Sequence, residues 1–182
     1  MHYINITIPP LWLLPFAAII ILTIVSSCSR SQDQIAFEQR AFRTPQNFTE
    51  ITPAREILHK DEDDWRIGPM FQGQIEVEVP PYPNPTISES VRMELNVTGL
   101  GSVDGWLAVA YYDRFDDRSL RTLDESDRSP LEAGIHHITI FPAGFDRYGR
   151  YDAAREANNG LHRLFIYDNR FNLITYGDIK LK

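Results

Sequence analysis

The sequence predicts an all-β fold, an antiparallel β-sandwich of about seven short strands, preceded by a targeting segment and a partly ordered tether. Three observations predict it. From Gly73 onward polar and apolar residues alternate with period two, the pattern of strands with one buried face. Turns rich in proline, glycine and asparagine separate these runs, and no helical crossovers lie between them, which argues against a parallel sheet. Upstream, an apolar run gives way to polar, charged sequence at the only cysteine, Cys28.

The first element is residues 11 to 25, LWLLPFAAIIILTIV, within a stretch 1–27 that contains no Asp, Glu, Lys or Arg. A bilayer-spanning helix needs about 20 apolar residues, and Pro15 weakens this one further. A secretory signal peptide fits better, because its apolar region runs about 7 to 15 residues and ends in small residues, here Ser26 and Ser27. Residues 1–27 are therefore expected to be cleaved, which leaves Cys28 as the mature N-terminus.

Val25-Ser26-Ser27-Cys28 resembles the bacterial lipoprotein signal, in which an aliphatic residue and two small ones precede an acylated cysteine. The resemblance implies recognition of Val25, Ser26 and Ser27 by signal peptidase II and lipidation of Cys28. Two or three acyl chains, at about 0.8 kcal/mol per buried methylene, hold a soluble domain stably on a membrane where one chain does not. The first ten residues, MHYINITIPP, depart from the usual pattern in carrying no Lys or Arg. With Ser29 after the cysteine, the resemblance favours lipid anchoring at the outer membrane of the cell envelope.

Composition narrows the classes of partner. Lys and Arg number 18 against 25 Asp and Glu, a formal charge of −7, which opposes the basic face that nucleic-acid phosphates require. A single cysteine allows neither an intramolecular disulfide nor a thiolate metal site. No cofactor is expected.

Residues 28–72 are expected to be the lipidated N-terminus and a tether with some local structure. Phe37, Phe42 and Phe48 are scattered without a clean period. A short helix is expected over Pro53–Lys60, with Thr52 as cap and Pro53 at its first position. It leads into Asp61-Glu62-Asp63-Asp64, which lacks the alternating spacing and glycine turn of a calcium loop and is expected to be a solvated acidic linker.

Residues 73–182 are the expected sandwich domain. Gln74–Val79 alternates and stops at Pro80-Pro81; Ser90–Val97 alternates again and yields to Gly99-Leu100-Gly101. Trp106–Tyr112 is more continuously apolar, as a central strand covered on both faces would be. Further strands are expected at Ser119–Leu123, Ile135–Phe141, Leu161–Tyr167 and Ile174–Leu181. Their number and spacing match an Ig-like sandwich.

Turn motifs carry a second resemblance: Tyr82-Pro83-Asn84-Pro85, Leu120-Arg121-Thr122-Leu123, Leu131–His136, Asp146-Arg147-Tyr148-Gly149-Arg150, and Asn159-Gly160-Leu161 entering a strand. Over roughly residues 80 to 182 the chain resembles the Ig-like domains of flagellar hook-capping proteins and the C-terminal sorting domains of type IX secretion cargo. Phe141 stands where that family commonly has tryptophan, and residues 151–159 form a longer, more polar loop. The resemblance implies a fold, and a fold does not transmit a function.

Catalytic motifs are lacking: there is no G-x-S-x-G, no H-E-x-x-H and no phosphate or dinucleotide glycine loop. His136 and His137 are neighbours on a strand, point to opposite faces and so do not grip one metal together. Asp113, Asp116, Asp117, Asp124, Glu125 and Asp127 are interleaved with Arg114, Arg118, Arg121 and Arg128, a self-compensating charged loop. The chain is thus expected to be non-enzymatic, presenting an interaction face around Phe115, Tyr148 and Tyr151 to an envelope protein while a lipid anchor holds it to the membrane. The alternatives are a carbohydrate-binding module, which needs an exposed aromatic strip on one sheet, and a sorting domain of the type IX kind.

Overall fold

A computed structural model describes residues 32–112, 120–124, 130–145 and 160–182. The described chain opens with helix α1 over residues 32–41. Three short strands follow: β1 (Glu50–Ile51), β2 (Ile57–His59) and β3 (Arg66–Ile67). Seven longer ones complete the fold: β4 (Ile75–Tyr82), β5 (Val91–Val97), β6 (Trp106–Tyr112), β7 (Leu120–Asp124), β8 (Gly134–Ile140), β9 (Gly160–Asp168) and β10 (Leu173–Leu181). These seven are the strands the period-two pattern predicts, with ends displaced by a few residues.

The sandwich is Ig-like. One antiparallel sheet has the order β4-β5-β8, the other β3-β10-β9-β6-β7. Of the seven long strands, the first, second and fifth form one sheet and the remainder the other, so the chain crosses between sheets as a Greek key does. β5 shows why: Val91, Met93, Leu95 and Val97 are buried, Arg92 is exposed, and pairing with β8 in strict register puts Ile138 and Ile140 on the same inner face. Opposite them lie Leu164 and Ile166 of β9 and Ile174, Ile179 and Leu181 of β10, closed at the ends by Trp65, Phe71 and Phe145.

β9 and β10 are buried on both faces, because α1 covers the outer side of their sheet. Phe37 and Ala41 of the helix pack with Phe165, Tyr167, Leu173 and Tyr176. The helix escapes a period-based reading because its buried stripe is Gln34, Phe37 and Ala41, two apolar residues and a glutamine. Gln34 is satisfied by tertiary bonds: its Nε2 donates to the Leu173 carbonyl (3.1 Å) and its Oε1 accepts from Met70 N (3.2 Å).

Around Pro53–Lys60 the structure departs from expectation. Thr52 does not start a helix; its Oγ1 accepts from Glu56 N (3.1 Å), Thr52 N donates to the Glu56 carbonyl, and Arg55 stands at φ 70°. This closes a turn, and Ile57–His59 returns as β2 antiparallel to β1. The Tyr82–Pro85 segment ties this hairpin to the sandwich. Buried Asn84 donates from Nδ2 to the Thr49 and Asp178 carbonyls (2.8 and 2.9 Å) and accepts from Lys180 N, while its backbone bridges Ile51.

Candidate functional site

Two opposed ends organise the molecule's surface. At one end, Gln34 near the start of α1 meets Leu173 and Met70, Gln74 Nε2 donates to the Met70 carbonyl, and Thr98 Oγ1 donates to the Gly73 carbonyl. Asp104 then joins Arg170 in an ion pair (2.6 Å) and accepts from Asn169 N. The turns 72–74, 98–105 and 168–172 are therefore grouped beside the helix entry. At the other end lie Tyr112 and Leu120, which pair across β6 and β7, the short helical turn Pro142–Phe145, and Gly160, which pairs with Leu181.

The expected site residues fall outside the described residues: Val25, Ser26, Ser27 and Cys28 precede them, and Phe115, Tyr148 and Tyr151 lie in the intervals 113–119 and 146–159. The acidic and arginine residues of 113–118 and 125–128 lie outside as well. The positions flanking 113–119 and 146–159, Tyr112 with Leu120 and Phe145 with Gly160, belong to the end opposite the helix entry.

Beneath α1 a buried charge network fastens the helix to the sheet. Arg163 on β9 grips Asp178 on β10 with both arms, Nε to Oδ1 at 2.9 Å and Nη2 to Oδ2 at 2.6 Å, and its Nη1 donates to the Ala41 and Arg43 carbonyls (3.1 and 3.0 Å). Burial pulls the guanidinium pKa down, but the bonds to Asp178 outweigh it, so the net shift is upward and Arg163 stays charged. Tyr176 lies under the same guanidinium, and its hydroxyl donates to Asp63 Oδ1 (2.9 Å). Burial and that bond push its pKa to about 12.

Asp64 completes the network and corrects the expectation of a solvated acidic run. It is buried, accepting from Thr49 N at Oδ2 (2.7 Å) and from Asp178 N at Oδ1 (3.0 Å). Burial first, then the nearby Asp178 charge, raises its pKa from 3.8 to about 8 against the pull of the Thr49 bond. The run turns inward because Asp63 N donates to Asp61 Oδ1, a local turn that delivers Trp65 to the core and β3 to the sheet edge.

A second polar group sits on the outer face of the three-stranded sheet. Glu94 is buried although it faces outward, and its Oε1 meets Arg55 Nη2 (3.0 Å), the Tyr82 hydroxyl (3.2 Å) and His137 Nδ1 (3.7 Å). The His137 distance is too long for a hydrogen bond, so the carboxylate does not orient the imidazole as a catalytic dyad requires. His137 is exposed on the Glu94 side, and half-buried His136 makes its contact with the Glu132 carbonyl instead, in line with neighbours facing opposite ways. Sequence reading missed Arg163, Asp178, Asp64 and Glu94 as structural centres. The available signal was a charge set in an apolar strand, as in LHRLFIYD.

Clefts lined by described residues open on the surface. One of about 370 Å³ is lined by Ile57, Lys60, Glu62, Asp64 and Trp65, another of about 590 Å³ by Asp33, Phe37, Arg40 and Arg66. Both mix charges of either sign, and neither sets a nucleophile against a base. Among the described residues no group of three His, Cys, Asp or Glu is placed to hold a metal. Phe42 at the helix end, Phe141 beyond β8 and Phe171 in the β9–β10 turn are exposed and stand on separate elements. No family model matches the chain, and neither a curated protein nor a solved structure matches it.

Proposed function

We propose that the protein is a non-enzymatic, lipid-anchored module of the cell envelope that holds one end of an Ig-like sandwich near the outer membrane and presents the other to a protein partner. One observation carries the reading. Helix α1, which follows the lipoprotein-like signal within a few residues, enters beside Leu173 and Met70, at the end of the sandwich opposite Tyr112, Leu120 and Gly160, the positions next to 113–119 and 146–159. On this reading the anchor attaches at the helix-entry end and the loops continue from the other, an arrangement that suits adhesion or assembly.

Two measurements test it. Palmitate labelling of cells is expected to mark the protein and to disappear in Cys28→Ala; unchanged labelling of that variant rules out the anchor. A photo-crosslinking residue placed at Phe115 or Tyr148 on intact cells is expected to trap a reproducible envelope protein, with no such adduct from position 135 on the edge strand β8. Equal adducts from the loop positions and from position 135 would locate no interface at the loops.

A further inference from the structure

Resting on the lipid-anchored reading, we infer that the helix-entry end of the sandwich is a bilayer-docking surface, with Phe171, Leu100 and Met70 seated among the lipid headgroups of the leaflet that holds Cys28. Those three side chains are 76%, 83% and 46% exposed, and Ile35, on the first turn of α1, is 50% exposed. They sit on separate turns, yet the bonds linking Gln34 to Met70, Met70 to Gln74, and Asp104 to Arg170 gather the turns at one end. Phe171 and Leu100 stand on turns and Met70 on the short helical turn Pro69–Phe71, and exposed apolar side chains grouped at one end of a fold mark an interaction surface.

Phe171 is held for display. Asp168 Oδ1 accepts from Arg170 N (2.9 Å) and Asn172 N (2.8 Å), and Oδ2 accepts from Asn172 Nδ2, which fixes the turn. Phe171 itself stands at φ 62°, a conformation that glycine or asparagine adopts at less cost. A bulky aromatic kept there points to a role outside the fold's own stability.

The length of chain selects the occupant. Four residue steps separate Cys28 from residue 32 and span at most about 14 Å. With the acyl chains in the leaflet, the helix entry lies within that distance of the headgroups, too close for a folded domain, whose diameter is about 30 Å, to fit between. The opposite end stands off by the length of β10, nine residues or roughly 27 Å.

The test uses the acylated full chain in vesicles of phosphatidylethanolamine and phosphatidylglycerol, with a nitroxide on a thiol introduced by Phe171→Cys, by Leu100→Cys as a second site, or by Phe141→Cys at the far end. Cys28 is the only natural cysteine, so one label per chain reports that it is acylated and two report that it is free. The expected result is that labels at 171 and 100 collide more with membrane-dissolved oxygen and several-fold less with a water-soluble nickel complex than the label at 141. Equal water accessibility at 171, 100 and 141, in protein that carries one label and floats with the vesicles, overturns the docking surface and leaves the anchor standing. Two labels per chain and no flotation overturn both.

Discussion

At Asp64 a single carboxyl couples the acidic run to the stability of the fold. Folded, it takes up a proton at about pH 8; unfolded, at 3.8. Between those values the folded state binds the extra proton, so stability declines as pH rises through that window. Thermal unfolding is therefore expected at a higher temperature at pH 5.5 than at pH 8.5, and Asp64→Asn is expected to reduce that slope whatever its absolute stability. Arg163 works in the opposite sense, as the cation that makes a buried Asp178 tolerable. Arg163→Ala leaves that carboxylate and two helix-end carbonyls without their donor and is expected to cost about 3–5 kcal/mol in denaturant titration. Neither role shows in the sequence, where Asp64 is one of several consecutive acids and Arg163 one arginine among many. Burial is a property of what covers a residue, and here the cover comes from distant chain.

At the scale of elements, α1 is the clearest case. Its packing rests on Phe37 against Tyr176, centroids 5.1 Å apart, and on Ala41 beside the Arg163 guanidinium. Phe37→Ala is expected to cost about 3–5 kcal/mol and to raise amide exchange across residues 32–41 more than across β5. β10 carries a matching constraint on its inner side. A methyl added at Gly177 would overlap the Trp65 ring, so Gly177→Ala is expected to destabilise by about 1–3 kcal/mol, seen as a lower denaturation midpoint with an unchanged slope. The strands β4 to β10 are readable because each carries a local signal, either alternation, as in β4 and β5, or an apolar run bounded by turn residues, as in β6. The helix is not, since two apolar residues and a glutamine make too weak a stripe, and Ile57–His59 has a helical signal in the sequence because Thr52-Pro53 is an acceptable helix start until the chain turns at Arg55.

For the whole molecule, the consequence is polarity: chain entry and exposed apolar turns at one end, the flanks of the aromatic loops at the other. If the domain stands upright on its anchor, a soluble copy lacking residues 1–28 should still fold, because α1 and both sheets lie after residue 31. Such a copy is expected to keep its circular dichroism spectrum and to lose flotation with vesicles. Ile35, Met70, Leu100 and Phe171 then become a liability, and light scattering should show self-association that Phe171→Asn, which also suits the local φ, reduces.

The sequence by itself determined the all-β class, the seven strands of the sandwich and the lipoprotein-like stretch Val25–Cys28, because strand alternation and short targeting motifs are local patterns carried by adjacent residues. Only the tertiary structure decided that α1 covers and β3 edges the five-stranded sheet, that Asp64, Asp178 and Arg163 share one buried network, and that Met70, Leu100 and Phe171 come to the end where the helix enters. Those features join residues more than a hundred positions apart, as in Arg163 with Ala41, and depend on which surfaces the fold brings together.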